Sequence, residues 1–231
     1  GRLKRDTNAS AALNNDPSMI AAKSWLTRLT LLKARLEQSP EARVPEMQLL
    51  DQEDWLAAVK GPSLETEEDY RRAFASLRNT AANKLAPKLQ KALSSYMEAN
   101  NKSFPPDVNA LVPFLEPKDP SLLSRYSVAP SSKIISVKMG GEWVVTQETP
   151  VDAEFDHQFV IGPNGFGTCS FPKEGQPTAE DYDALDSAKE AFAKTNDNRE
   201  INALEDLEPY LTTPQARAAY EKIKKFSAPK K

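Results

Sequence analysis

The chain has 231 residues, 39% of them hydrophobic and 27% charged, which is the composition of an ordinary folded protein and excludes collagen-like or wholly disordered classes. The net charge is −3 and the basic residues are scattered, so no electropositive face for tracking phosphates is legible and direct nucleic-acid binding is not expected. The single cysteine, Cys169, excludes an intrachain disulfide or a thiol zinc site and reads as a small core residue, and no apolar run approaches the ~20 residues of a membrane-spanning helix.

Residues 1–15 are polar and read as a disordered tail. The chain opens Gly1-Arg2-Leu3-Lys4-Arg5, which reads as the start of a fragment or processed chain. Asp16-Pro17 supplies an N-cap and a first-turn proline, and Ala22, Trp25, Leu29, Leu32 and Leu36 form one apolar stripe until Ser39-Pro40. Asp51 before Glu53 and Asp54 predicts a short capped helix ending at Lys60, before Gly61-Pro62. Thr66 and Asp69 form a capping-box pattern ahead of the longest stripe, Tyr70, Phe74, Leu77, Ala81, Leu85, Leu89, Ala92 and Tyr96. Pro87 falls inside that stripe and predicts a kink or break between Asn83 and Pro87.

From about 126 to 171 the period changes to two. Ile134, Ile135, Val137, Trp143, Val144, Val145, Phe159, Val160, Ile161, Phe166 and Phe171 read as a small antiparallel sheet. Gly140-Gly141 and Pro163-Asn164-Gly165 supply its tight turns. Thr178 then reads as the N-cap of a returning helix. The C-terminal Lys222, Lys224, Lys225, Lys230 and Lys231 read as a solvated helix end and tail.

Aligned with itself at an offset of 96 without a gap, the chain matches Leu89 to Leu185, Ala92 to Ala188, Asn100 to Asn196, Leu111 to Leu207, Pro113 to Pro209 and Leu115 to Leu211. Tyr96/Phe192, Val108/Leu204 and Phe114/Tyr210 are conservative pairs. Each copy is expected to be a helix ended by a left-handed asparagine, then a turn and a short helix closing on Leu-x-Pro-aromatic-Leu.

The catalytic signals are sparse. His157 is the only histidine, so a histidine-dependent triad must use it, and a multi-histidine metal site is impossible. Asp152, Glu154 and Asp156 alternate like the start of a calcium loop, but His157 takes the glycine position and Pro163 that of the closing glutamate. Gly162-Pro163-Asn164-Gly165-Phe166-Gly167 lacks the lysine of a phosphate loop and fits a hairpin. No residue is assigned a catalytic, cofactor-binding or metal-ligating role.

The run from Ala92 to Pro105 together with Leu111-Val112-Pro113-Phe114-Leu115 resembles the helix and turn in the soluble heads of type II secretion pseudopilins, although the hydrophobic N-terminal pilin helix is missing. A wider set is similar to an uncharacterised bacterial family, some members of which are C-terminal regions of proteins labelled extracytoplasmic-function sigma factors. The set is Pro45 to Leu50, Asp54-Trp55-Leu56, Leu64 to Glu67, Pro113-Phe114-Leu115, Ser124-Arg125-Tyr126, Ala153 to Asp156 and Phe159 to Gly165. Neither a promoter-melting helix nor a helix-turn-helix unit is readable, and this resemblance implies no catalytic residues.

The expectation is an α+β, mainly α protein. It has a helical section over 16–62, a long kinked helix on a small antiparallel sheet over 63–172, and a hairpin over 173–231 repeating 85–126. The expected role is a non-catalytic interaction or sensing module of a larger sigma-factor-like or membrane-anchored protein, without cofactor, contacting a protein partner or its own N-terminal region. Its compartment is left open between the cytoplasm and the extracytoplasmic side of a bacterial membrane. The alternatives are a pseudopilin-like assembly subunit and an enzyme using Asp156 and His157.

Overall fold

The computed structural model describes residues 17–61, 63–134, 141–173, 175–197 and 199–227. The tail over 1–15, Asp16, Pro62, Ile135, Val137, Gly140, Lys230 and Lys231, all read above from the sequence, lie outside them.

Helix α1 (Pro17–Gln38) buries Leu29, Leu32 and Leu36 and stops where Pro40 starts a 3-10 turn. Asp51 caps α2 (Gln52–Lys60): its Oδ1 accepts from the amides of Glu53 (2.9 Å) and Asp54 (3.1 Å), and Asp54 Oδ2 accepts from the Asp51 amide at 2.8 Å. The same reciprocal pair, Thr66 and Asp69, starts α3 (Glu67–Ala99), leaving few orphan amides at its first turn.

Helix α3 is unbroken through Pro87, so the expected break does not occur. Leu85, Ala86 and Leu89 on either side are fully buried, and that packing outweighs the one backbone bond the proline removes. Pro87 itself lies on the exposed side, where water can reach the freed carbonyl.

Strands β1 (Tyr126–Pro130), β2 (Trp143–Gln147), β3 (His157–Gly162) and β4 (Gly165–Ser170) form an antiparallel meander in that order. The turn Pro163-Asn164 closes β3 on β4 with Gly162 opposite Gly165. Ile134 follows a 3-10 turn and belongs to no strand, while Tyr126–Pro130 supplies one.

One core joins the C-terminal half of α3 to Leu111, Leu115, Leu122, Leu123 and Tyr126 and to Val145, Phe159 and Ile161 of the sheet. A second joins its N-terminal half, through Phe74 and Leu77, to α1 and α2. Val144 and Val160 pack with Ile134 on the opposite sheet face. A third core, from Leu185 to Ile223, is built by α5 (Asp186–Thr195), the 3-10 turn Leu204–Tyr210 and α6 (Pro214–Ser227), with the short α4 (Ala179–Asp183) lying against α6. The whole is an α+β, mainly helical fold.

The segments aligned at offset 96 share local geometry around the asparagine, although Leu89 lies inside α3 and Leu185 sits between α4 and α5. Each helix gives way at an asparagine, and a seven-residue 3-10 turn follows at Val108–Phe114 and at Leu204–Tyr210. Tyr96 meets Phe114, and Phe192 meets Tyr210, edge to face with ring centroids 5.7 Å apart in both. The asparagines are not left-handed as expected: φ is −121° at Asn100 and −116° at Asn196. Each instead donates its side-chain amide to the carbonyl four residues back, at 2.8 and 2.9 Å, and the positive φ of 53° passes to Asn101 and Asp197. The surroundings differ, with the sheet and Leu122–Leu123 against the first segment and α6 against the second.

Candidate functional site

Two consecutive residues of α3 hold three consecutive residues where the loop passes into β3. Arg78 and Asp156 are each 3% exposed at the side chain and form a bidentate pair, Nη2 to Oδ1 at 2.7 Å and Nε to Oδ2 at 3.1 Å. Asp156 Oδ2 also accepts from the amides of Val151 and Asp152, and Arg78 Nη1 reaches the Ala42 carbonyl. Asn79 donates from Nδ2 to the Phe155 carbonyl at 3.0 Å and accepts the His157 amide on Oδ1 at 2.9 Å. These contacts fix where β3 starts and how far α3 stands from the sheet.

Because α3 packs chiefly over β3, it leaves an open groove of about 550 Å³ along β4. One helix stripe lines its wall: Arg72, Ala75, Ser76, Asn79, Thr80 and Asn83, at steps of three and one. Phe155, His157, Phe159 and Thr168 line the floor. Among the described residues the lining carries two basic side chains and no carboxylate. Arg72 stands 4.5 Å over the Phe155 ring, held there by Glu68, and Arg71 stands 5.0 Å from the same ring.

The sequence pair Asp156 and His157 divides between two surroundings. His157 is exposed and lines the groove, whereas Asp156 is buried on Arg78 and contributes nothing to the lining. The other acids of the loop also have arginine partners. Arg71 takes Asp152 at 2.8 Å and Glu154 at 3.1 Å. Burial opposes the charge on Asp152, but Arg71 and the amides of Glu154 and Phe155 outweigh it and hold the carboxyl below its ordinary value. Among the described residues no group of three or more histidine, cysteine or acidic side chains is placed to hold a metal ion. Cys169 is half-buried beside Val160, and burial pushes its thiol up.

Strand β4 is an edge of the sheet. Phe159 donates its amide to Gln147 Oε1 at 3.0 Å and its carbonyl accepts Thr146 Oγ1 at 2.8 Å, so its backbone faces β2. Alternation then turns Gln158, Val160 and Gly162 toward β4, opposite Cys169, Gly167 and Gly165. Phe166, Thr168 and Ser170 therefore direct their backbone groups outward, and among the described residues no backbone of another element pairs with them. From Gln158 to Pro172 the sequence has no charged residue.

The apolar stripe of α3 is legible in the sequence, and the polar one beside it is not among the residues expected there. The available signal was the uncharged Ser76, Asn79, Thr80 and Asn83 at helical spacing. Glu46 is a second residue that sequence pattern does not single out. It is fully buried, with Oε1 3.3 Å from Arg125 Nη1 and Oε2 without a hydrogen-bond partner among the described residues. Among the described residues no helix is long and apolar enough to cross a membrane. Compared with protein-family profiles, curated proteins and solved structures, the chain matches none.

Proposed function

We propose that this chain is a non-catalytic protein-interaction module whose contact surface is the outer edge of β4 together with the groove beside α3. The observation that carries this reading is the β4 edge, uncharged and, among the described residues, unpaired. Exposed strand edges pair readily with other chains, and folded proteins ordinarily blunt them with lysine, proline, a bulge or a covering element. Within β4 none of the first three is present, and Phe166 stands 38% exposed on it. The groove adds depth without a carboxylate to pair with its histidine.

In this reading Arg78 and Asn79 are positioning residues that keep the groove open, and the third core is a second, smaller hairpin unit built like the first. The resemblance to sigma-factor-associated C-terminal regions is in keeping with an interaction role. A pseudopilin-like assembly subunit is the second reading, favoured by the order of a long helix followed by an antiparallel meander. Polymerisation of the purified chain distinguishes it.

The test is site-specific photo-crosslinking in the native cell. A photoreactive side chain at Phe166 is expected to capture protein, and one at exposed Glu98 on α3 is not. Equal, background labelling at both positions overturns the reading.

A further inference from the structure

Resting on that reading, we infer that the occupant of the β4 edge is a second copy of this chain, paired antiparallel about Thr168. The outward residues Phe166, Thr168 and Ser170 are evenly spaced, so a twofold axis at Thr168 sets Phe166 opposite Ser170 of the second copy, and the reverse. All three positions present paired N–H and C=O groups, giving about six new backbone hydrogen bonds and one continuous eight-stranded sheet.

Charge favours a self-pair at this place. A twofold pair sets an edge against its own copy, so a charged edge would meet like charge. The stretch from Gln158 to Pro172 carries none, so the edges meet without repulsion.

The position of α3 also fits a dimer. With α3 over β3, the two helices of the pair are separated by three strand spacings, about 14 Å, against the 8–10 Å of directly packed helices. The space left between them is the groove. Phe166 and Thr168 lie on the groove face of the sheet, because they stand opposite Ile161 and Phe159, which pack under α3. In the pair, Phe166 of the second copy lies beside Ser170, whose cross-strand neighbour is His157 at the groove floor. Each copy thus completes the groove of the other with an aromatic side chain exposed in the single chain.

The experiment is sedimentation velocity of the whole chain from about 1 µM to about 1 mM, the range in which a small interface associates. The parent is expected to shift from monomer to dimer. Thr168→Lys and Thr168→Glu are each expected to remain monomeric at every concentration, with unchanged thermal melts, and an equimolar mixture of the two is expected to restore the dimer. A parent that stays monomeric, a dimer that survives both substitutions, or a mixture that stays monomeric overturns the inference. If the parent is monomeric while Phe166 crosslinks a different protein in the cell, the second copy is wrong and the interaction module stands. If neither occurs, both fail.

Discussion

Glu46 and Asp156 are both buried acids facing an arginine, yet both oxygens of Asp156 are hydrogen-bonded while among the described residues Oε2 of Glu46 has no partner. Burial raises the Glu46 carboxyl above its ordinary value of 4.5, against the pull of Arg125. The folded chain then holds that proton more tightly than the unfolded chain. Its stabilisation is complete below 4.5 and is lost as pH climbs through the raised folded value. Glu46→Gln, neutral throughout, should gain on the parent as pH rises, by on the order of 1 kcal/mol near neutrality. Melts at several pH values check this, and a difference that is flat with pH refutes it. Asp156 has both oxygens satisfied, so its removal strands Arg78 in the core. Asp156→Ala should cost about 3–5 kcal/mol in urea unfolding, and adding Arg78→Met should recover part of that loss.

At the scale of elements, α3 shows how packing overrides propensity. Pro87 leaves the Asn83 carbonyl without its helical donor, and the helix persists because its neighbours are locked in the core. Pro87→Ala restores the bond on an exposed face and should stabilise the chain by up to ~3 kcal/mol, read as a higher urea midpoint. Loss of stability would show that the proline ring itself packs. The element boundaries at Asp51, Thr66 and Thr178 were legible in the sequence because caps are local, each set by residues three apart. The asparagine ends were legible in position and not in conformation, since the side-chain bond to Tyr96 or Phe192 competes with the left-handed alternative. The candidate site was not legible. Arg78 and Asp156 are 78 positions apart, and an edge strand is known only once strand order is. The sequence pair Asp156-His157 looked like chemistry because adjacency in sequence hides that the two side chains serve different environments.

At the scale of the whole molecule, the three larger cores are not equivalent. The two along α3 share one continuous helix, so loosening either must be felt along Glu67–Ala99. The third is drawn entirely from Ala184 onward, and it contains an asparagine-ended helix followed by the 3-10 turn Leu204–Tyr210. Leu111 and Leu207 are matched positions, both buried in their own clusters, and they offer a controlled comparison. Truncating a buried leucine costs about 2–5 kcal/mol wherever it sits, so the size of the effect is not the discriminating quantity. Its spread is. Leu207→Ala should speed amide exchange across Ala179–Ser227 and leave α3 and the sheet protected, because local opening follows contiguous packed units. Leu111→Ala should speed exchange in α3 and in β2 and β3, whose buried residues share its cluster. Equal loss of protection throughout the chain with Leu207→Ala would mean that the third core is cooperative with the body. The sheet edge would then be held in place by the C-terminal unit as well as by α3. If protection is lost only locally, α3 and its two cores alone set the geometry of the groove, and substitutions in the C-terminal unit should leave pairing at β4 unchanged.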